Sequence, residues 1–198
     1  MKSLVLFLAL AAAFTSVLRA AAPTPDSLPA PSAPPAAALV DNPLYPLWTT
    51  TAVGKTVTFN RVSQISGGAP VGGGPKPTTS KVKFLLTELT PEKALLKVGA
   101  DPAKDGELLI VAAKLAPDDP ALPKAAGQED IKIGATTYAC KVYYYTTRSA
   151  TEAGRDTQGL PARITLWVAP SVPGGIVRRQ VELTIKASYS TTDTWVGP

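Results

Sequence analysis

The chain has 198 residues, with 20 prolines, one cysteine, no histidine and a formal net charge of +5. That length suits one domain of ordinary size. The missing histidine excludes Ser-His-Asp and Cys-His catalysis and the usual zinc sites, and the lone cysteine excludes an intrachain disulfide or a thiolate metal cage.

The chain opens on an export signal. Lys2 supplies a positive start, and Leu4 to Leu18 is an apolar run of signal-peptide length, too short to cross a bilayer comfortably. Residues 1–20 are expected to be a signal peptide, cut after Ala20 or retained as an anchor. Without Lys2 and Arg19, 18 basic side chains face 15 acidic ones, a net +3. This charge is too mild, and its lysines and arginines too scattered, for nucleic acid to be a partner. No transmembrane helix is expected once the signal is removed.

Residues 21–43 are rich in proline and alanine and read as a disordered linker, extended where it holds any shape. The single β-rich domain is expected over 44–198. Leu44, Tyr45, Leu47 and Trp48 form its apolar entry, with Pro43 and Pro46 arguing against a helix. Lys55 to Ile65 alternates as a strand. Ser66 to Ser80 is glycine-rich, but it lacks the spacing of a phosphate-binding loop and reads as a long hairpin loop. Lys81 to Leu89 and Ala94 to Val98 make a hairpin around Thr90 to Lys93. Glu107 to Leu115 is apolar enough for a strand buried on both faces, with a short helix as its competitor.

Ile131 to Ile133 and Thr137 onward form another hairpin, turned at Gly134-Ala135. In this second arm Tyr138, Cys140, Val142 and Tyr144 share one face, while Tyr143 and Tyr145 share the other. Thr146 to Pro161 is a second long polar loop. Ile164, Leu166 and Val168 line one face of the next strand, with Trp167 opposite. Val172-Pro173-Gly174-Gly175 is a turn signature: Pro173 presets φ, and Gly174 can take the positive φ of a type II turn. From Val177 to Ala187 the alternation is nearly perfect, and only Arg179 interrupts the apolar face. The Arg178-Arg179 pair reads as a solvated strand end. Tyr189 to Pro198 reads as a polar tail until Trp195.

About eight strands with short links predict a mostly β protein, an antiparallel meander forming a curved sheet or open barrel. A two-sheet β-sandwich is the alternative.

Few residues carry chemistry. Cys140, on an apolar face, reads as a buried structural thiol. Asp118-Asp119 and Glu129-Asp130 are adjacent pairs, which strand geometry sends to opposite faces, so neither makes an acid/base dyad. No calcium-ligand spacing appears. Neither a metal nor a cofactor is expected, and the chain is not expected to be an enzyme. Tyr143, Tyr145 and Trp167 are the candidate ligand contacts, provided their strands are neighbours and share a face; the opposite face is the alternative.

The run GATTYAC…ITLWVAPSVPGGIVR resembles exported bacterial proteins of unknown function, in which a G-x-x-x-x-C strand precedes a W-V-x-x-x-V-P-G-G-x-V hairpin. The matching residues are Gly134, Trp167, Val168, Val172, Pro173, Gly174, Gly175 and Val177, with Cys140 off the regular spacing. The strand order is similar to the curved half-barrel of periplasmic lipoprotein-carrier proteins, which implies an apolar concave face that binds acyl chains. This chain departs from that pattern in having no obvious lid helix. The expectation is an exported protein, periplasmic or extracellular, that binds an apolar or amphipathic ligand on a curved β surface. Its partner would be a lipid or an envelope protein. A structural or protein-interaction module without a small ligand is the alternative.

Overall fold

The computed structural model describes residues 38–66, 76–148, 160–184 and 188–197. In chain order they form β1 (Val40–Asp41), α1 (Tyr45–Thr49), β2 (Thr56–Ser66), β3 (Thr78–Leu89), β4 (Lys93–Gly99), α2 (Pro102–Asp105), β5 (Glu107–Ala112), β6 (Lys114–Leu115), β7 (Lys124–Ile133), β8 (Thr136–Thr147), β9 (Ala162–Val168), β10 (Ile176–Thr184) and β11 (Ser188–Trp195). The expected signal peptide and the linker up to residue 37, residues 67–75 of the expected Ser66 to Ser80 loop, the polar stretch 149–159 and the end of the expected Val177 to Ala187 strand, 185–187, lie outside the described residues.

Nine of these strands form one antiparallel sheet in the order β5-β4-β3-β2-β11-β10-β9-β8-β7. Two meanders run outward from the centre and are joined where β2 pairs with β11. The remaining pair, β1 with β6, is a small separate ribbon. The sheet is strongly curved and does not close into a barrel. Its curvature shows in one cavity, which is lined both by Leu109 of edge strand β5 and by Tyr145 of β8, near the opposite edge.

Residues directly opposite each other across a ladder share a face. On that rule Val57 and Phe59, Val82, Phe84 and Leu86, Ala94 and Leu96, Val181 and Leu183, and Ile164 and Leu166 all lie on the inner face. Every one is buried. Burying each large apolar side chain stabilises the fold by about 1.5–3 kcal/mol.

The inner face is covered by the chain's own entry segment. α1 places Trp48 against Phe84, ring centroids 6.5 Å apart and nearly parallel, and Phe59 meets Phe84 edge-on at 5.2 Å. A helix at this point corrects the expectation drawn from Pro43 and Pro46. Pro46 sits in the first turn, where its missing N–H has no intrahelical partner to lose. Tyr45 anchors the helix by donating its hydroxyl to the Thr90 carbonyl, 2.5 Å away.

The Val172 to Gly175 turn has the geometry its sequence predicts. Gly175 N–H donates to the Val172 carbonyl at 2.7 Å, and Gly174 and Gly175 both have φ of +69°. The fold adds a second demand. A Cβ on Gly174 would lie 2.8 Å from the Trp48 ring, and one on Gly175 would lie 2.7 Å from Leu47. The turn thus presses α1 onto the sheet, and glycine allows that close approach.

Three other expectations are corrected. β5 is an edge strand rather than a strand buried on both faces, and Leu108 and Ile110 on its outer side are exposed. The segment read as a polar tail is β11, a central strand between β2 and β10. Its inner residues Thr191, Asp193 and Trp195 are buried. The Arg178-Arg179 pair is not a solvated strand end either. Arg179 is 3 % exposed and pairs with Asp193, which is 1 % exposed, at 3.1 Å. Asp193 also accepts a two-point contact from Arg61, at 2.6 and 2.7 Å. Burial opposes the Arg61 charge, but the Asp193 carboxylate outweighs it and raises the Arg61 pKa. A polar residue on an inner face thus finds charged partners from two neighbouring strands, the condition under which a buried charge is tolerated.

Candidate functional site

Two cavities lie along the open side of the curved sheet. One, of about 100 Å³, lies along β5 and is lined by Leu44, Leu109, Val111, Leu115, Ala121 and Tyr145, among others. A second, of about 30 Å³, lies deeper, against Trp48, Phe84, Leu96 and Leu166, with Arg179 at its margin. Leu44, Leu109, Val111 and Tyr145 line both. The two spaces therefore share walls at the gap between β5 and β8. The chemistry on offer is apolar contact. Among the described residues no group of three or more His, Cys, Asp or Glu side chains could hold a metal ion.

Alternation explains how Tyr143 and Tyr145 reach this side. They pair with Leu166 and Ile164 of β9, so both lie on the inner face. Tyr145 is buried, and Tyr143 is half-buried against the core. Trp167 does not join them. It pairs with Val142 and so stands on the outer face, which corrects the expectation of one face carrying all three aromatics. The strands are neighbours as required, but a register offset of one residue decides which side chains share a face. Trp167 is also already engaged. Its Nε1–H donates to a Glu129 carboxylate oxygen at 2.6 Å, and the Arg178 guanidinium lies 5.6 Å from its ring centroid.

Cys140 is 2 % exposed, in keeping with a structural thiol. It lies on the free end of β8, where that strand outruns β9, and its Sγ is 3.3 Å from the Tyr138 carbonyl oxygen. Burial pushes the thiol above its ordinary range, against a smaller opposing contribution from an Ile131 backbone hydrogen bond. The raised pKa favours the unreactive thiol and makes the folded state a poorer host for the thiolate. Stability from this group is present below the ordinary thiol pKa and declines as pH rises through the folded-state value. Cys140 is therefore expected to react with DTNB only as fast as the chain unfolds. Rapid labelling of the native protein at neutral pH would contradict this burial.

Sequence reasoning missed Leu44, Leu109 and Val111 as site residues. The only signal for the latter two was an apolar run too short to distinguish an edge strand from a core strand.

No known protein family matches the chain, and no curated protein matches it. Among solved structures it is similar to the crystal structure of the Mycobacterium tuberculosis lipoprotein LppX, at 11% identity and a TM-score of 0.37, over 78% of this chain and 96% of that one.

Proposed function

We propose that the chain is an exported, non-catalytic envelope protein that takes up the apolar part of an amphipathic molecule through the gap between β5 and β8. The observation that carries this reading is the pair of apolar cavities with common walls at Leu44, Leu109, Val111 and Tyr145. Apolar walls favour an alkyl group over water, and the gap leaves a polar head in solvent. The two spaces as they stand hold only a short apolar group. A longer chain needs α1 to move, because Trp48 and Leu44 occupy the inner face. The apolar run at Leu4 to Leu18 supports export.

The test is native mass spectrometry of the whole chain, purified from an expressing host without detergent, followed by organic extraction. A reproducible adduct of lipid or fatty-acid mass is expected, and it should disappear in Leu109→Trp, which fills the shared wall. A chain that stays free of adduct after incubation with sodium palmitate and phospholipid vesicles would remove the reading. One feature favours a protein-interaction role instead: Leu108 and Ile110 stand exposed on edge strand β5, where sheets commonly recruit partners.

A further inference from the structure

We propose a second binding site, for an uncharged saccharide, in the cleft where the start of β2 and the end of β11 meet the β9–β10 turn. The cleft measures about 450 Å³, within the range of roughly 300–1,000 Å³ typical of small-molecule sites. None of its lining residues lines the cavities at the gap between β5 and β8. The proposal therefore stands whether or not those cavities take a lipid.

The lining selects the ligand. Tyr138 and Trp195 both face the cleft and meet edge-to-face, centroids 5.7 Å apart and planes at 82°. Trp195 is 8 % exposed, so the aromatic surface left for a ligand is that of the half-buried Tyr138, backed by the Trp195 edge. Pro173 adds an apolar wall, while Thr56, Thr58 and Ser171 add hydroxyls beside the Tyr138 phenol. Among the described residues no Asp, Glu, Lys or Arg lines the cleft. An ionic ligand would lose its hydration there with no opposite charge to replace it. A purely alkyl ligand would strip water from the hydroxyls and return no hydrogen bond. A neutral sugar meets both halves of the lining: its C–H face lies on an aromatic ring, and its hydroxyls exchange hydrogen bonds with Thr56, Thr58 and Ser171. The tyrosine reaches this place because β8 outruns β9 and carries the hairpin end over the β9–β10 turn.

The experiment is calorimetric titration of the full chain with maltotriose, cellotriose and chitotriose, together with NMR of the Trp195 indole N–H, assigned through Trp195→Phe. At least one trisaccharide should bind with a Kd of about 1 mM or tighter and shift the Trp195 signal. Ser171→Tyr fills the cleft from an exposed turn position, and Tyr138→Ala removes the platform. Each should weaken binding by about tenfold or more. Absence of heat and of any Trp195 shift with all three sugars at about 10 mM overturns the proposal. Binding that both variants leave unchanged overturns it as well, as does a Trp195 shift produced by sodium decanoate and by no sugar.

Discussion

Replacing Asp193 with alanine is expected to cost the fold about 3–5 kcal/mol, the range for breaking a buried ion pair by removing one partner. Asp193 is 1 % exposed and serves two guanidiniums, those of Arg179 and Arg61. Arg179 cannot escape to water, because β10 lies inside the sheet between β9 and β11. Its charge would stay buried with the Asp193 carboxylate gone. Arg61 suffers less, since its side chain is 25% exposed and can be solvated. For a domain of this size the loss corresponds to a fall of roughly 10–15 °C in Tm. The double replacement Asp193→Leu with Arg179→Met should recover most of it, because apolar side chains often replace a buried pair without net loss. Urea unfolding of the two variants and the parent chain measures both effects. A cost under about 1 kcal/mol for Asp193→Ala would show that the triad contributes little.

Trp48→Ala should be nearly as damaging, at about 3–5 kcal/mol, the range for removing a buried aromatic side chain. Trp48 is 2 % exposed, stacks on Phe84 and receives the Gly174 turn against its ring. β3, β4 and β9 behind it cannot collapse into the vacated space, because each is held in the ladder on both sides. The vacated volume adds to the cavity of about 30 Å³ that Trp48 already borders. An enlarged apolar cavity stays dry and accepts apolar guests. Palmitate should therefore restore part of the lost stability in Trp48→Ala, by mass action on the folded state. It should bind this variant more tightly than the parent chain. If palmitate leaves the Tm of Trp48→Ala unchanged, the interior is not a route for alkyl chains, and the proposed lipid role fails with it.

These two residues mark the boundary between what could be read locally and what could not. Trp48 was visible as part of an apolar entry, but its covering role was not. Proline next to it argued against a helix, and only the seating of Pro46 in the first turn removed that objection. Asp193 was less visible still. It sits in Ser-Tyr-Ser-Thr-Thr-Asp-Thr-Trp, where polar character suggests a solvated tail. The strand exists because β2 and β10 offer open ladders on either side of it and because two arginines neutralise its one buried charge. The lone interruption of the β10 apolar face by Arg179 was the available clue, and it pointed to a partner without naming one.

The sequence by itself determined the class of the fold: short alternating apolar runs separated by proline and glycine dictate antiparallel strands. It also determined the Val172 to Gly175 turn, whose φ demands are local, and the absence of histidine chemistry. The tertiary structure alone decided which side chains share a face. Tyr143 and Tyr145 lie within the sheet's curve and Trp167 outside it, because a one-residue register offset between β8 and β9 reverses every side chain. Register is set by the whole ladder and its curvature, from β5 to β7, and no local run of residues contains that information.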